Sequence, residues 1–169
     1  ADVKTHVDGN VRAVLVAALA RAAGLDGMAG GQMLDLEAEN RAMTLDEVRQ
    51  MQAMKTGALI QYAAVAGGIH GGADAALQSA LERYARDLGL AFQIADDLLD
   101  YAGDASVMGK PSGQDADRGK AGFVALMGLD EARRAAHRMI EDANAELAPW
   151  QSLAEYMQNL ATFAITRNS

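Results

Sequence analysis

Hydrophobic positions recur along this chain at helical spacing, and glycine-rich or polar breaks divide them into successive segments. Residues 11–23 have the apolar density of a helix, with Gly24 as its stop. The stretch Gly27-Met-Ala-Gly-Gly-Gln-Met-Leu-Asp-Leu36 reads as a turn that opens a helix running to about Glu39, and its glycines permit close backbone approach. Thr44-Leu-Asp-Glu47 has the form of a capping box and predicts a helix over 44–66. Gly67, Gly68, Gly71 and Gly72 predict a turn, and a long helix follows over 73–101. Residues 103–120 are polar and glycine-rich, contain Pro111, and read as a mobile loop. Helix resumes near Ala121, continues past Asp130 to about Leu147 and stops at Pro149; a last helix covers 152–166. No strand alternation or internal repeat stands out. The expectation is an all-α bundle forming one domain over 1–169.

Composition narrows this picture. Of the 169 residues 50% are hydrophobic and 5% aromatic, with two prolines, a balance that favours helix and allows a real core. The net charge of −8 argues against a nucleic-acid partner. The absence of cysteine removes disulfide frameworks and thiolate metal sites. No apolar run approaches the length of a membrane span, and no basic leader precedes an apolar core, so the default is a cytoplasmic enzyme or binding protein. The chain opens on a polar stretch without an initiator methionine, as a loop inside a longer protein does.

The candidate chemistry sits in the apolar stretch Phe92-Gln-Ile-Ala-Asp-Asp-Leu-Leu-Asp100. With Asp96 at zero on an ideal helix, Asp100 falls near about 40°, Gln93 near about 60° and Asp97 near about 100°. A carboxylate cluster on one arc of an apolar helix needs water or a cation, and hard oxygen donors suit Mg²⁺. An EF-hand is excluded by Tyr101 and Val107, which stand where glycine and the bidentate glutamate belong. Lys55 falls in the middle of its helix's apolar stripe, so it either snorkels or meets an anion, and Gly57 leaves room beside it. Lys110, Arg118 and Lys120 are either solvated loop charges or, with Mg²⁺ on the aspartates, one side of a diphosphate clamp. The P-loop and dinucleotide readings of the glycine-rich runs fail, because no strand leads into either. His6, His70 and His137 are too scattered to suggest a metal site.

Four stretches in order, Gly-Gly-Gln-Met-Leu-Asp-Leu (30–36), Lys-Thr-Gly-Ala-Leu (55–59), Phe-Gln-Ile-Ala-Asp-Asp-Leu-Leu-Asp (92–100) and Gly-Lys-Pro-Ser-Gly-Gln-Asp (109–115), resemble the trans-prenyl diphosphate synthases of the bacterial farnesyl type. Thr166-Arg-Asn168 is similar to that family's basic tail. The resemblance implies the isoprenoid synthase bundle and a Mg²⁺-dependent condensation of an allylic diphosphate (dimethylallyl or geranyl) with isopentenyl diphosphate, in a homodimer. It assigns Asp96, Asp97 and Asp100 to the metal, with Asp96 foremost. It assigns Lys55, Lys110 and Lys120 to the allylic diphosphate, and Thr56 and Gln93 to the pocket wall near the developing cation.

Two departures stand out. Lys120-Ala-Gly-Phe-Val124 replaces the family's Lys-Ser-Thr-Tyr-Pro. The family's first aspartate-rich motif and its arginine pair are missing, so the chain resembles a C-terminal portion with the N-terminal helices absent, and is expected to turn over poorly alone. The alternatives are a non-catalytic diphosphate-binding relative or subunit, a terpene cyclase, and a plain helical interaction module.

Overall fold

The computed structural model describes residues 2–108 and 122–167, and every regular element among them is helical. Eight α-helices follow in order: α1 Gly9–Ala23, α2 Met28–Glu37, α3 Leu45–Gln52, α4 Ala58–His70, α5 Ala75–Met108, α6 Phe123–Met127, α7 Leu129–Leu147 and α8 Glu155–Thr166. A π-turn, Ala53–Gly57, joins α3 to α4. Helix α5 is the central pillar; it packs most extensively on α7, then on α4, and also touches the π-turn, α6 and α8.

Two apolar clusters line α5. One gathers Tyr84, Leu88, Ile140, Leu147 and Ala161 at the end away from the aspartates. Tyr84 is fully buried there, donates its hydroxyl to the Met157 carbonyl at 2.7 Å, and burial pushes its pKa up to about 12. The other cluster holds Val48, Met51, Ile94, Phe123 and Ala135, directly beneath the acidic stretch of α5.

Several expectations hold. The capping box closes: Thr44 Oγ1 accepts the Glu47 N–H and the Glu47 carboxylate accepts the Thr44 N–H at 2.7 Å. The Thr44 backbone bond, followed by the Arg41 guanidinium, holds the Glu47 carboxyl below its usual range. Others need correction. Helix α4 runs through Gly67 and Gly68 to His70, and the chain turns at Gly71 and Gly72, the latter with φ +69°. Helix α5 reaches Met108 instead of yielding to a loop after Tyr101, since a lone glycine at 103 costs only about 1 kcal/mol in a helix and no proline follows before 111. The helix expected from Ala121 through Asp130 is two helices, because Gly128 has φ +82°. His6 and His70, far apart in the sequence, meet edge to face with ring centroids 5.7 Å apart.

The stretch 9–37 is long and apolar enough by composition to cross a membrane, against the expectation that nothing is. It is interrupted at 24–27, where the chain bends between α1 and α2.

Candidate active site

Three elements are drawn together by glycines. Gly31 on α2 is buried, and a Cβ there would come within 2.6 Å of Lys55 Cα and 2.8 Å of the Met54 carbonyl carbon. Gly89 on α5 faces Gly57 of the π-turn, with its would-be Cβ 3.1 Å from Gly57 Cα. The π-turn therefore sits directly between α2 and α5.

That turn also explains Lys55. A π-turn holds more residues per turn than an α-helix, so it rotates Lys55 and the start of α4 relative to Val48 and Met51, which stay buried. Lys55 leaves the apolar stripe and meets an anion: its Nζ donates to Asp35 Oδ2 at 2.7 Å. Both side chains are one-third exposed. Asp35 lies inside the glycine-rich motif 30–36, and sequence reasoning assigns it no role of its own. The usable signal is its spacing, four residues after Gly31 and so on the same face of α2. Thr56, beside Lys55, is half-buried.

The acidic stretch is divided between two protein donors. Asp96 accepts from Gln93 Nε2 at 3.4 Å and forms an ion pair with Arg167, whose guanidinium also lies 4.0 Å from the centroid of the Phe92 ring. Asp97 turns toward the start of α6, where its Oδ2 accepts the Phe123 N–H at 2.5 Å. Gly122 lies against that carboxylate, and a side chain there would displace the Asp97 oxygens. Asp100 is exposed. The structure thus joins Gln93 to Asp96 and keeps Asp97 close enough to both other carboxylates to sense their charge, but among the described residues no three acidic or histidine side chains converge as a ready metal cage. Lys55 is paired with Asp35, and among the described residues it makes no ion pair with the three aspartates. Lys110 and Lys120 lie outside the described residues.

Burial pushes the Asp97 carboxyl above its usual range, and the Asp100 and Asp96 charges add to the rise; the Phe123 and Val124 N–H groups oppose it. Three carboxylates on one arc of α5, one of them open to water, are the hard oxygen donors that a divalent cation keeping part of its water shell takes. The donor set fits Mg²⁺ on that ground.

This shift carries a prediction. A carboxyl with a raised folded-state pKa stabilises the fold below its unfolded pKa, and that contribution is lost as pH rises through the folded value. Asp97→Asn keeps an acceptor for Phe123 and removes the charge. Its melting temperature is expected to exceed that of the wild type at neutral pH, with the gain shrinking toward acid. A gain largest in acid would contradict the assignment.

Two cavities lie off this face. One of about 320 Å³ opens between α1 and α4 beside Arg21, Tyr62 and Glu82. Another of about 250 Å³ lies behind the acidic stretch, bordered by Leu98, Leu99, Arg133, His137 and Arg167. Asp96, Asp97, Asp100 and Lys55 line neither.

The polyprenyl synthetase family profile matches residues 6–157. The chain is 40% identical over 171 residues to the farnesyl diphosphate synthase of Escherichia coli K12, covering 96% of this chain and 56% of that protein. It is 43% identical over 142 residues to the farnesyl diphosphate synthase of Geobacillus stearothermophilus, covering 84% and 48%. Among solved structures, an FPP/GFPP synthase from Zymomonas mobilis in its apo form superposes with a TM-score of 0.85 at 41% identity, over 96% of this chain and 54% of that one. The chain spans about half the length of the curated relatives it matches. The glycine-packed lysine turn, the aspartate-bearing pillar and this likeness together place the chain in the polyprenyl synthetase family, with the all-α isoprenoid synthase fold.

Proposed function

We propose that this chain is the C-terminal portion, folded as a single domain, of a trans-prenyltransferase that joins an allylic diphosphate to isopentenyl diphosphate, with farnesyl diphosphate the favoured product. One observation carries the reading: the turn presenting Lys55 and Thr56 packs directly on the helix presenting Gln93, Asp96 and Asp97. The kinship with farnesyl diphosphate synthases supports it.

In the reaction the allylic C–O bond breaks, a C–C bond forms to the isopentenyl unit, and a proton is lost. The oxygens of Asp96 and Asp97, with Asp100 at the rim, would hold Mg²⁺, which when bound neutralises the departing diphosphate. Lys55 contributes a fixed ammonium to the same anion, with Lys110 and Lys120 as further cations. Asp35 keeps the Lys55 ammonium in place before substrate arrives. Thr56 and Gln93 border the developing cation with oxygen dipoles. Exposed Val14, Val16 and Leu19 on α1 and Tyr156, Leu160 and Phe163 on α8 present apolar surface suited to the rest of the protein or a second copy. A homodimer in the cytoplasm is part of this proposal.

A second reading has its own observation. Both members of the aspartate pair are already satisfied by protein donors, as a non-catalytic subunit would tolerate. A steady-state assay with dimethylallyl and isopentenyl diphosphates separates the two. The intact protein is expected to give Mg²⁺-dependent product and the isolated 169-residue chain almost none. No product from the intact protein would favour the subunit, and robust product from the isolated chain would refute the claim that this portion is insufficient.

A further inference from the structure

Arg167 stands just past the last residue of α8, with its backbone extended (φ −60°, ψ 134°), and its side chain reaches across to α5. It is held there twice, by the Asp96 carboxylate and by the face of Phe92. Its side chain is 20% exposed against 43% for Asp96, so the guanidinium is the more enclosed partner. The other cations nearby behave differently. Arg134 and Arg138 on α7 pair with Glu131, while Arg133 and His137 border the cavity behind α5 without any ion pair among the described residues. Among the described residues, Arg167 alone forms an ion pair with the acidic stretch.

The oxygen that Arg167 engages is Asp96 Oδ1, and Gln93 approaches Oδ2, so both oxygens of this carboxylate already have donors. A divalent cation needs those oxygens as ligands, and it cannot share the guanidinium's approach to Oδ1 without repelling it. Arg167 also borders the 250 Å³ cavity, which gives its side chain room to withdraw without repacking the core.

We propose that Arg167 is the resident counter-ion of Asp96 in the metal-free protein, and that it gives up this carboxylate when a divalent cation binds. Arg167 then opposes metal loading, and the withdrawal of its side chain accompanies it. This rests on the reading of Asp96 as a metal ligand. A site whose competent form is only partly populated binds with an affinity reduced by that fraction. Removing the competitor therefore tightens binding.

The test is Mn²⁺ binding to the intact protein by electron paramagnetic resonance, with inorganic diphosphate present and no prenyl substrate. Arg167→Gln is expected to bind Mn²⁺ up to about fivefold more tightly than wild type. Arg133→Gln removes the same charge from the neighbouring cavity wall without touching Asp96, and is expected to bind as wild type does. Equal tightening in both variants would reduce the effect to net charge and overturn the proposal. Asp96→Asn separates the two levels. If it loses Mn²⁺ while Arg167→Gln is unchanged, the counter-ion role fails and the site reading stands. If it binds Mn²⁺ normally, both fail.

Discussion

Asp96→Ala in the intact protein is expected to lower kcat/KM on the order of 10³-fold, a loss of about 4 kcal/mol of transition-state stabilisation. The carboxylate is partly buried and, unlike Asp97, is not claimed by a helix N-terminus, so it is the oxygen donor best placed for a metal held against the leaving diphosphate. The same change is expected to leave the fold nearly intact. Its structural partner is Arg167, and at 43% exposure of the aspartate the pair contributes at most about 1 kcal/mol. Activity and stability thus separate: the rate falls by about three orders of magnitude while the melting temperature moves by a few degrees. Wild-type turnover in Asp96→Ala would remove this residue from the reaction, and a collapse of the melting transition would make its role structural.

Gly31→Val is expected to be the most damaging change away from the charged groups. Its added carbons would meet the backbone of Met54 and Lys55, and backbone cannot step aside as a flexible side chain can. Helix α2 must move away from the π-turn, at a cost of about 3 kcal/mol by the scale of overpacked cores, or roughly 6–12 °C in melting temperature for a domain this size. The displacement also parts Asp35 from Lys55, and a shift of about 1 Å at a positioning group costs on the order of 10²-fold in rate. Gly67→Ala is the internal comparison. Its Cβ would meet nothing within 4 Å, so the better helix propensity of alanine should stabilise α4 slightly. Calorimetry on the two variants decides the point; similar melting temperatures for both would show that the α2 contact is not tight.

Much of the helical layout is legible in the sequence because it is written locally. The Thr44–Glu47 box lies within one turn, and it marks the start of α3 where expected. Helix ends are less legible. Gly103 inside α5 and Gly128 between α6 and α7 are the same residue type with opposite outcomes, since only the second adopts φ +82°. Which of the two happens depends on neighbours far away in sequence.

The site divides in the same way. The all-α class and the placement of Asp96, Asp97 and Gln93 on one arc of α5 follow from the order of residues, because side-chain direction on a helix obeys a fixed rotation per residue. The partner that each side chain meets is settled by packing. The π-turn re-aims Lys55 onto Asp35, the start of α6 claims Asp97, and the end of α8 brings Arg167 to Asp96. Those partners are 20, 26 and 71 residues apart in the chain. Contacts at such separations are set by how helices pack, which no local periodicity encodes.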